Sequence, residues 1–149
     1  MLLTEQTPLA RRRLRTWLRL LRLTRATEKR LREYMRVEHN TTLPRFDVMA
    51  ALYRSDEPLN IGDLSKLLLV SNGNSSTIVN MLERDGLVTR EPTEHDRRVV
   101  NVALTEKGRA EFEEQARGHE IVINEIFETL DHPQLDVIRD LLRQAEARD

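Results

Sequence analysis

Residues 71–108 read SNGNSSTIVNMLERDGLVTREPTEHDRRVVNVALTEKG, and two kinds of pattern follow one another in this stretch. The first part has apolar residues at helical spacing and ends at Gly86, a residue typical of the position just after a helix. Beyond it the apolar period changes to two, which predicts strands at 87–90 and 99–104. The polar residues 91–98 would form a long tip. The stretch therefore predicts a helix followed by a two-stranded hairpin.

Two further short helices are predicted before this stretch. Pro44 suits the first turn of one helix, and Asn60, with Asp63 three residues later, suits the cap of the next. Ser71 can cap the third helix, and Thr105 can cap a helix after the hairpin. Three short helices and a hairpin are the outline of a winged helix-turn-helix, whose third helix enters a DNA major groove and whose hairpin tip reaches a minor groove.

Long amphipathic helices are predicted at both ends of the chain, with a break marked by Pro133 near the second end. Their apolar stripes have little else to cover, which favours packing against a second copy of the chain. We therefore expect one domain over residues 1–149. It is mainly α with a small β-hairpin wing, with a winged helix-turn-helix at 43–108 and helical dimerisation regions at 8–40 and 109–148.

The net charge of −1 conceals a strong segregation of charge along the chain. Residues 1–40 carry ten Arg and one Lys against four Glu, whereas residues 111–149 carry four Arg against eleven acidic residues. Residues 71–110 hold six of each sign. Opposite charges suggest ends that meet within one chain or between two, although two unrelated solvated helix faces would give the same pattern.

Composition excludes several functions. The 149 residues contain no cysteine, so thiol catalysis, cysteine-ligated zinc and disulfide sensing are excluded. The four histidines are dispersed without metal-ligand spacing, and no phosphate-binding loop or hydrolase motif is present, so neither a cofactor nor an enzymatic activity is expected. Short apolar runs and a start without an export pattern predict a cytoplasmic protein without membrane contact.

Short hydrogen-bonding side chains dominate the presumed reading face of the third helix. Hydroxyl groups and a helix N-terminus suit phosphates, and Asn can pair with adenine through two hydrogen bonds. A solvated helix start has the same composition, so this face alone does not decide between the two interpretations. The candidate DNA contacts on this helix are Ser71, Asn72, Asn74, Ser75, Ser76, Thr77 and Asn80.

The hairpin tip supplies cationic candidates. Arg97 and Arg98 lie between the two predicted strands, where a guanidinium group can enter a narrow minor groove. Asp96 would repel phosphate, so we expect it to anchor the wing by holding a neighbouring guanidinium in a planar pair. The alternative is an ordinary exposed turn with a weak ion pair.

From about Leu43 to Gly108 the sequence resembles the MarR family of winged-helix transcriptional regulators. The matching stretches are IGDLSKLLLVS at 61–71, IVNMLERDGLVTR at 78–90 and HDRRVVNVALTEKG at 95–108. The most specific match is the wing pattern of Asp96, Arg98, Leu104, Thr105 and Gly108. The resemblance implies a homodimer that binds a pseudo-palindromic DNA operator, usually as a repressor, with its terminal helices interlocked.

One departure from the family pattern concerns the charge of the third helix. Many members have an arginine about where Thr77 stands, and residues 71–83 contain no Lys or Arg. DNA contacts would then depend on Asn and hydroxyl groups, with Arg97, Arg98 and also Arg84 and Arg90 supplying positive charge.

The resemblance also implies a small-molecule effector, either an anionic aromatic acid or its coenzyme A thioester. The implied pocket residues are Trp17, Leu21, Arg45, Phe46 and Met49, although each apolar one of them would equally suit the core. A thioester would find its phosphate partners among the arginines of the first helix, which are Arg11, Arg12, Arg13, Arg15, Arg19, Arg22 and Arg25. The competing function is a helical protein-interaction module without specific DNA binding.

Overall fold

The computed structural model describes residues 7–96 and 98–147 and shows a mainly α-helical fold with a small antiparallel sheet. The elements are α1 (Pro8–His39), α2 (Leu43–Arg54), β1 (Leu59–Asn60), α3 (Ile61–Leu68), α4 (Asn72–Arg84), β2 (Val88–Pro92), β3 (Val100–Leu104), α5 (Glu106–Phe127) and α6 (His132–Glu146). The predicted fold class is confirmed. The assignment of 8–40 and 109–148 to dimerisation stays a prediction.

The predicted helix caps form hydrogen bonds in the structure. Asn60 Oδ1 accepts from the Asp63 amide at 2.8 Å, and the Asp63 carboxylate accepts from the Asn60 amide at 3.1 Å, which completes a capping box. Ser71 Oγ accepts from the Asn74 amide at 3.2 Å. After α4 the chain turns through Gly86, whose φ of 76° lies in the left-handed region that favours glycine.

The sheet has three strands rather than the two that the sequence predicted. Its order is β1-β3-β2, and the additional strand pairs Leu59 with Val102 and Asn60 with Asn101. A strand of two residues is too short to show a period, which is why the pattern missed it. Residue Leu87 precedes β2 because its amide donates to the carbonyl of Leu82 at 2.9 Å and so closes the end of α4.

The core is centred on α2 and joins the winged region to both long helices. Phe46, Val48 and Met49 are almost fully buried, and the ring of Phe46 stacks on Phe112 of α5 with 5.2 Å between centroids. Full burial of one such side chain stabilises the fold by about 1.5–3 kcal/mol. The other core residues are Leu31, Met35, Leu43, Ala50, Leu52, Leu59, Leu64, Val79, Leu82, Leu87, Val88 and Val102.

The terminal helices contact each other only in part. On α1 the side chain of Arg30 forms an ion pair with Glu125 of α5, and the Tyr34 hydroxyl donates to the Gln115 carbonyl at 3.0 Å. Helix α6 has no buried residue at all. The large apolar side chains that stay exposed on the terminal helices include Leu9, Leu14, Trp17, Leu18, Leu20, Leu23, Ile121, Leu135, Val137, Ile138, Leu141 and Leu142. One copy of the chain therefore leaves apolar faces uncovered.

The end of α4 and the start of α5 meet at a close backbone junction. Thr105 Oγ1 donates to the Gly86 carbonyl at 2.7 Å and accepts from the Gly108 amide at 3.0 Å. The Thr105 amide donates to the Leu87 carbonyl at 3.0 Å. A Cβ atom on Gly108 would overlap that same carbonyl oxygen, so only glycine fits at this position.

We expect Gly108→Ala to lower the free energy of unfolding by about 1–3 kcal/mol, because the backbone at Leu87 must move to accept the methyl group. Urea unfolding followed by circular dichroism measures the change. Gly73→Ala is the matched control, since its methyl group would meet only Ser71 Oγ at 4.0 Å. Equal stability of the two variants would contradict the close contact between Gly108 and the Leu87 carbonyl.

Candidate nucleic-acid interface

Helix α4 has one buried and one exposed face. Ser75, Val79 and Leu82 are buried and share one side of the helix. Because successive residues of an α-helix are about 100° apart, Thr77 and Asn80 lie on the opposite side, and both are exposed. The exposed face therefore contains fewer residues than the continuous polar run in the sequence.

Ser75 is a correction to the predicted set of DNA contacts. Its side chain is fully buried, and its Oγ is hydrogen bonded to Ser65 Oγ of α3 at 2.9 Å. The Ser65 hydroxyl also lies 2.8 Å from the Ile61 carbonyl. Ser75 therefore joins α3 to α4 and does not face outward. In the sequence it is indistinguishable from its polar neighbours, because only packing separates a buried hydroxyl from an exposed one.

The other candidates at the start of α4 lie on its surface. Ser71, Asn72 and Asn74 are exposed, whereas Ser76 is half-buried. The Thr77 hydroxyl donates to the Gly73 carbonyl at 2.9 Å, so its oxygen can still accept a hydrogen bond from a ligand. The structure thus brings five of the predicted contacts together with Asn80 along one helix.

Arg90 of β2 connects this helix to the wing. Its guanidinium group donates to Asn80 Oδ1. Together with Arg98 it also lines a surface cavity of about 340 Å³ beside the start of α3 at Asn60 and Gly62. The sequence suggested Arg90 only as a source of charge, because a contact between a strand and a helix ten residues apart has no sequence pattern.

Asp96 anchors the wing turn through the backbone of Arg98 rather than through its guanidinium group. Asp96 Oδ1 accepts from the backbone amide of Arg98 at 2.9 Å, and the Asp96 carbonyl accepts from the Val99 amide at 3.0 Å. The Thr93 hydroxyl donates to the Asp96 carbonyl at 2.6 Å. Among the described residues no ion pair joins Asp96 to the Arg98 guanidinium. Asp96 therefore shapes the turn by accepting from the backbone, which leaves the exposed Arg98 side chain available.

Arg97, the other predicted cation of the wing, lies outside the described residues. Its assignment to DNA stays a prediction.

Comparison with known proteins gives a consistent family. The family model described as "MarR family" matches residues 39–99, which contain α2 to α4 and most of the wing. The HTH-type transcriptional regulator MhqR of Bacillus subtilis is 31% identical over 109 residues, which cover 72% of this chain and 73% of the relative. The chain belongs to the MarR family.

Two further comparisons define the extent of the similarity. An uncharacterised HTH-type transcriptional regulator of Bacillus cereus is 30% identical over 97 residues, and the match spans 63% of that relative's length. The crystal structure of BpsR of Bordetella bronchiseptica has a TM-score of 0.75 and 25% identity, and the match covers 87% of this chain and 91% of that one. The DNA binding of BpsR is regulated by 6-hydroxynicotinic acid. The named relatives of this MarR-family chain are transcriptional regulators and not enzymes.

The five residues implied for an effector pocket are not brought together. Trp17 is 56% exposed, and Leu21 is half-buried on the same helix. Met49 and Phe46 belong to the core. Arg45 instead reaches α4, where it contacts Met81 and forms an ion pair with Asp85 at 3.5 Å. Of these five residues only Phe46 lines the cavity described next, so their assignment to one effector pocket stays a prediction.

A cavity of about 420 Å³ does lie between α2, α3 and α5, and Phe46 is one of its walls. The imidazole of His119 stacks on Phe46 with 4.4 Å between ring centroids. Arg54 adds a cation, and Leu67 and Leu68 add an apolar rim. Neither His119 nor Arg54 could be assigned to a cavity from the sequence, because the packing of α2 against α5 is a tertiary contact.

Two titratable groups in this cavity have shifted pKa values. Burial raises the pKa of Asp47 to about 6, with Glu28 adding to the rise and Arg54 opposing it. Burial also lowers the pKa of His119, and the positive charge of Arg54 lowers it further. Both shifts favour the neutral form, so Asp47 loses its charge as the pH falls through about 6, whereas it remains mostly charged at pH 7.5.

Within the described residues, no group of three or more His, Asp or Glu side chains is placed to hold a metal ion. The helices of that same part of the chain are each too short or too polar to cross a bilayer.

The role of Asp96 can be tested by two substitutions. Asp96→Asn keeps an Oδ1 acceptor, so we expect the Arg98 amide to stay protected from hydrogen exchange. Asp96→Ala removes the acceptor, and exchange should accelerate roughly five- to tenfold, as expected for one lost hydrogen bond. Exchange measured by NMR gives the result for each variant. If Asp96→Asn behaved like Asp96→Ala, the charge of Asp96 would matter rather than its hydrogen bond.

Proposed function

We propose that this chain is a sequence-specific DNA-binding transcriptional regulator that acts as a homodimer. The observation that carries the proposal is the link made by Arg90, which contacts Asn80 on α4 and shares a cavity with Arg98 of the wing. The exposed face of α4 and the wing therefore form one continuous surface. Such a surface suits a major groove and the minor groove beside it.

Charge placement, rather than net charge, would supply the affinity for DNA. Residues 71–110 hold equal numbers of positive and negative side chains, so bulk attraction is weak. Arg98 is exposed at the wing tip, where it can enter a narrow minor groove. A dimer doubles every such contact on a pseudo-palindromic operator.

The uncovered apolar faces support the dimer. The face of α6 and the N-terminal half of α1 expose large apolar side chains that a monomer would leave in water. Helix α1 is strongly basic and the C-terminal region strongly acidic, so two copies could pair opposite charges as well as bury these faces. We assign residues 8–40 and 109–148 to the interface on this basis.

The central experiment substitutes the wing cation. Arg98→Ala should weaken binding to the DNA that flanks the chain's own gene at least about tenfold per half-site, because the minor-groove guanidinium is lost. Fluorescence anisotropy measures the affinity in the presence of competitor DNA, and light scattering measures the dimer. Lys66→Ala is the matched control, since Lys66 is an exposed cation on α3, outside the residues assigned to DNA or to the dimer.

Unchanged affinity of Arg98→Ala would contradict the wing assignment. Binding by the wild type that competitor DNA abolishes would contradict specific recognition altogether. That second result would favour the competing function of a helical protein-interaction module.

We further propose that an anionic aromatic compound occupies the 420 Å³ cavity and releases the protein, acting as a repressor, from its operator. An aromatic ring can lie beside the Phe46–His119 stack, and Arg54 can pair with a carboxylate. The similar protein BpsR supports this class of ligand, because an aromatic acid, 6-hydroxynicotinic acid, regulates its DNA binding.

A free acid suits this cavity better than its coenzyme A thioester. The seven arginines proposed for a thioester lie on the exposed surface of α1, and none of them lines the cavity. A thioester would have to extend far beyond the cavity to reach them. Comparison of a free acid with its thioester by calorimetry separates the two ligands.

We expect benzoate, as a simple probe, to bind several-fold more tightly at pH 5 than at pH 7.5. Asp47 has a pKa of about 6, so its repulsive charge disappears at the lower pH. Titration calorimetry measures both affinities. Asp47→Asn should remove most of the difference, and neutral benzamide should show little dependence on pH. Equal benzoate affinity at both pH values would contradict this site.

A further inference from the structure

The hydrogen bond between Arg90 and Asn80 fixes the chemical character that Asn80 presents to DNA. Arginine has no acceptor, so the atom of Asn80 that contacts it must be the carbonyl oxygen Oδ1. This contact determines the orientation of the amide. The Nδ2 group of Asn80 is then the part that remains for a ligand on the exposed side of α4.

Arg90 is well held in this position. It lies half-buried on β2, where it pairs with Val102 of β3, and its Nε atom is buried. The remaining amino group of its guanidinium can donate to a ligand beside Asn80. Arg90 and Asn80 together therefore present N–H donors to a ligand, whereas Asn80 Oδ1 already accepts a hydrogen bond from Arg90.

Adenine and guanine differ in what they demand of such a pair. In the major groove adenine shows one acceptor, N7, and one donor, the N6 amino group. A free Asn satisfies both, which was the basis for expecting an Asn–adenine contact. Guanine shows two acceptors, N7 and O6, and needs donors only. Adenine would have to share Oδ1 with a guanidinium, whereas guanine would not.

We propose that Arg90 is a specificity-determining residue that makes Asn80 read guanine instead of adenine. This inference rests on the proposed function, since it requires α4 to enter the major groove. It assigns to Arg90 a role in base preference rather than only in charge. The prediction of Asn–adenine pairing at this position is replaced by a donor-only contact.

Selection of bound duplexes from a random library tests the inference. Asn80→Ala identifies the base pair that Asn80 reads, because preference is lost there. We expect the wild type to select guanine at that base pair. Arg90→Met keeps a flexible unbranched stem but removes every donor, so the ratio of guanine to adenine should fall about tenfold at that base pair alone. Arg84→Met is the matched control, an exposed arginine at the end of the same helix.

A second measurement uses the wild-type protein and therefore does not depend on the folding of any variant. Replacement of that guanine by 7-deazaguanine removes the N7 acceptor but keeps the pair with cytosine, and it should weaken binding about tenfold. Replacement by inosine keeps both O6 and N7 and should leave binding nearly unchanged.

Selection of adenine by the wild type, or an unchanged ratio in folded Arg90→Met, would overturn the inference while leaving the proposed function intact. Equal binding of operators with 7-deazaguanine and with guanine would also overturn it. A library without any enriched wild-type motif would instead overturn the proposed function, and the inference with it.

Discussion

The backbone junction at Thr105 and Gly108 is the contact on which the arrangement of the molecule depends. It ties the residues just after α4 to the first turn of α5 through hydrogen bonds from Thr105 to the Gly86 and Leu87 carbonyls. Lys107 adds a bond of 2.9 Å to the Asp85 carbonyl. Because α5 is packed against α1 and α2, a change at the long helices can reach α4 through this junction as well as through the direct packing of α2 on α4. The same contact would couple an effector in the α2–α5 cavity to the DNA-facing helix.

The surface proposed to contact DNA consists of a few polar side chains whose positions the fold determines. The Ser75 hydroxyl is hydrogen bonded to α3 inside the fold, and the Asp96 carboxylate accepts from the backbone of the wing turn. Arg90 of β2 is hydrogen bonded to Asn80 of α4. The side chains that remain outward are mostly small and neutral, with Arg98 as the exposed cation of the described part of the wing. Recognition by such a surface depends on hydrogen-bond geometry more than on charge, in agreement with a balanced charge count in residues 71–110.

Local patterns determined much of the fold, and tertiary contacts determined the rest. The caps at Asn60, Ser71 and Thr105 and the turn at Gly86 depend on neighbours within a few residues, so they could be predicted from the sequence. Strand β1 was too short to show a period. The burial of Ser75, the contact of Arg90 with Asn80 and the stack of His119 on Phe46 each join separate elements. The implied effector pocket stays a prediction for the same reason, because helix faces alone do not define which residues share a cavity.

Footprinting of the wild-type protein on the DNA that flanks its own gene tests the central claim most directly, since it records which grooves are occupied. The account predicts two patches of guanine N7 protection in the major groove, related by a dyad and separated by whole helical turns of about 10 base pairs. Minor-groove protection should lie beside each patch, where the wings reach. Protection without dyad symmetry, or protection of the backbone with every guanine N7 still reactive, would contradict reading by α4 and the wing.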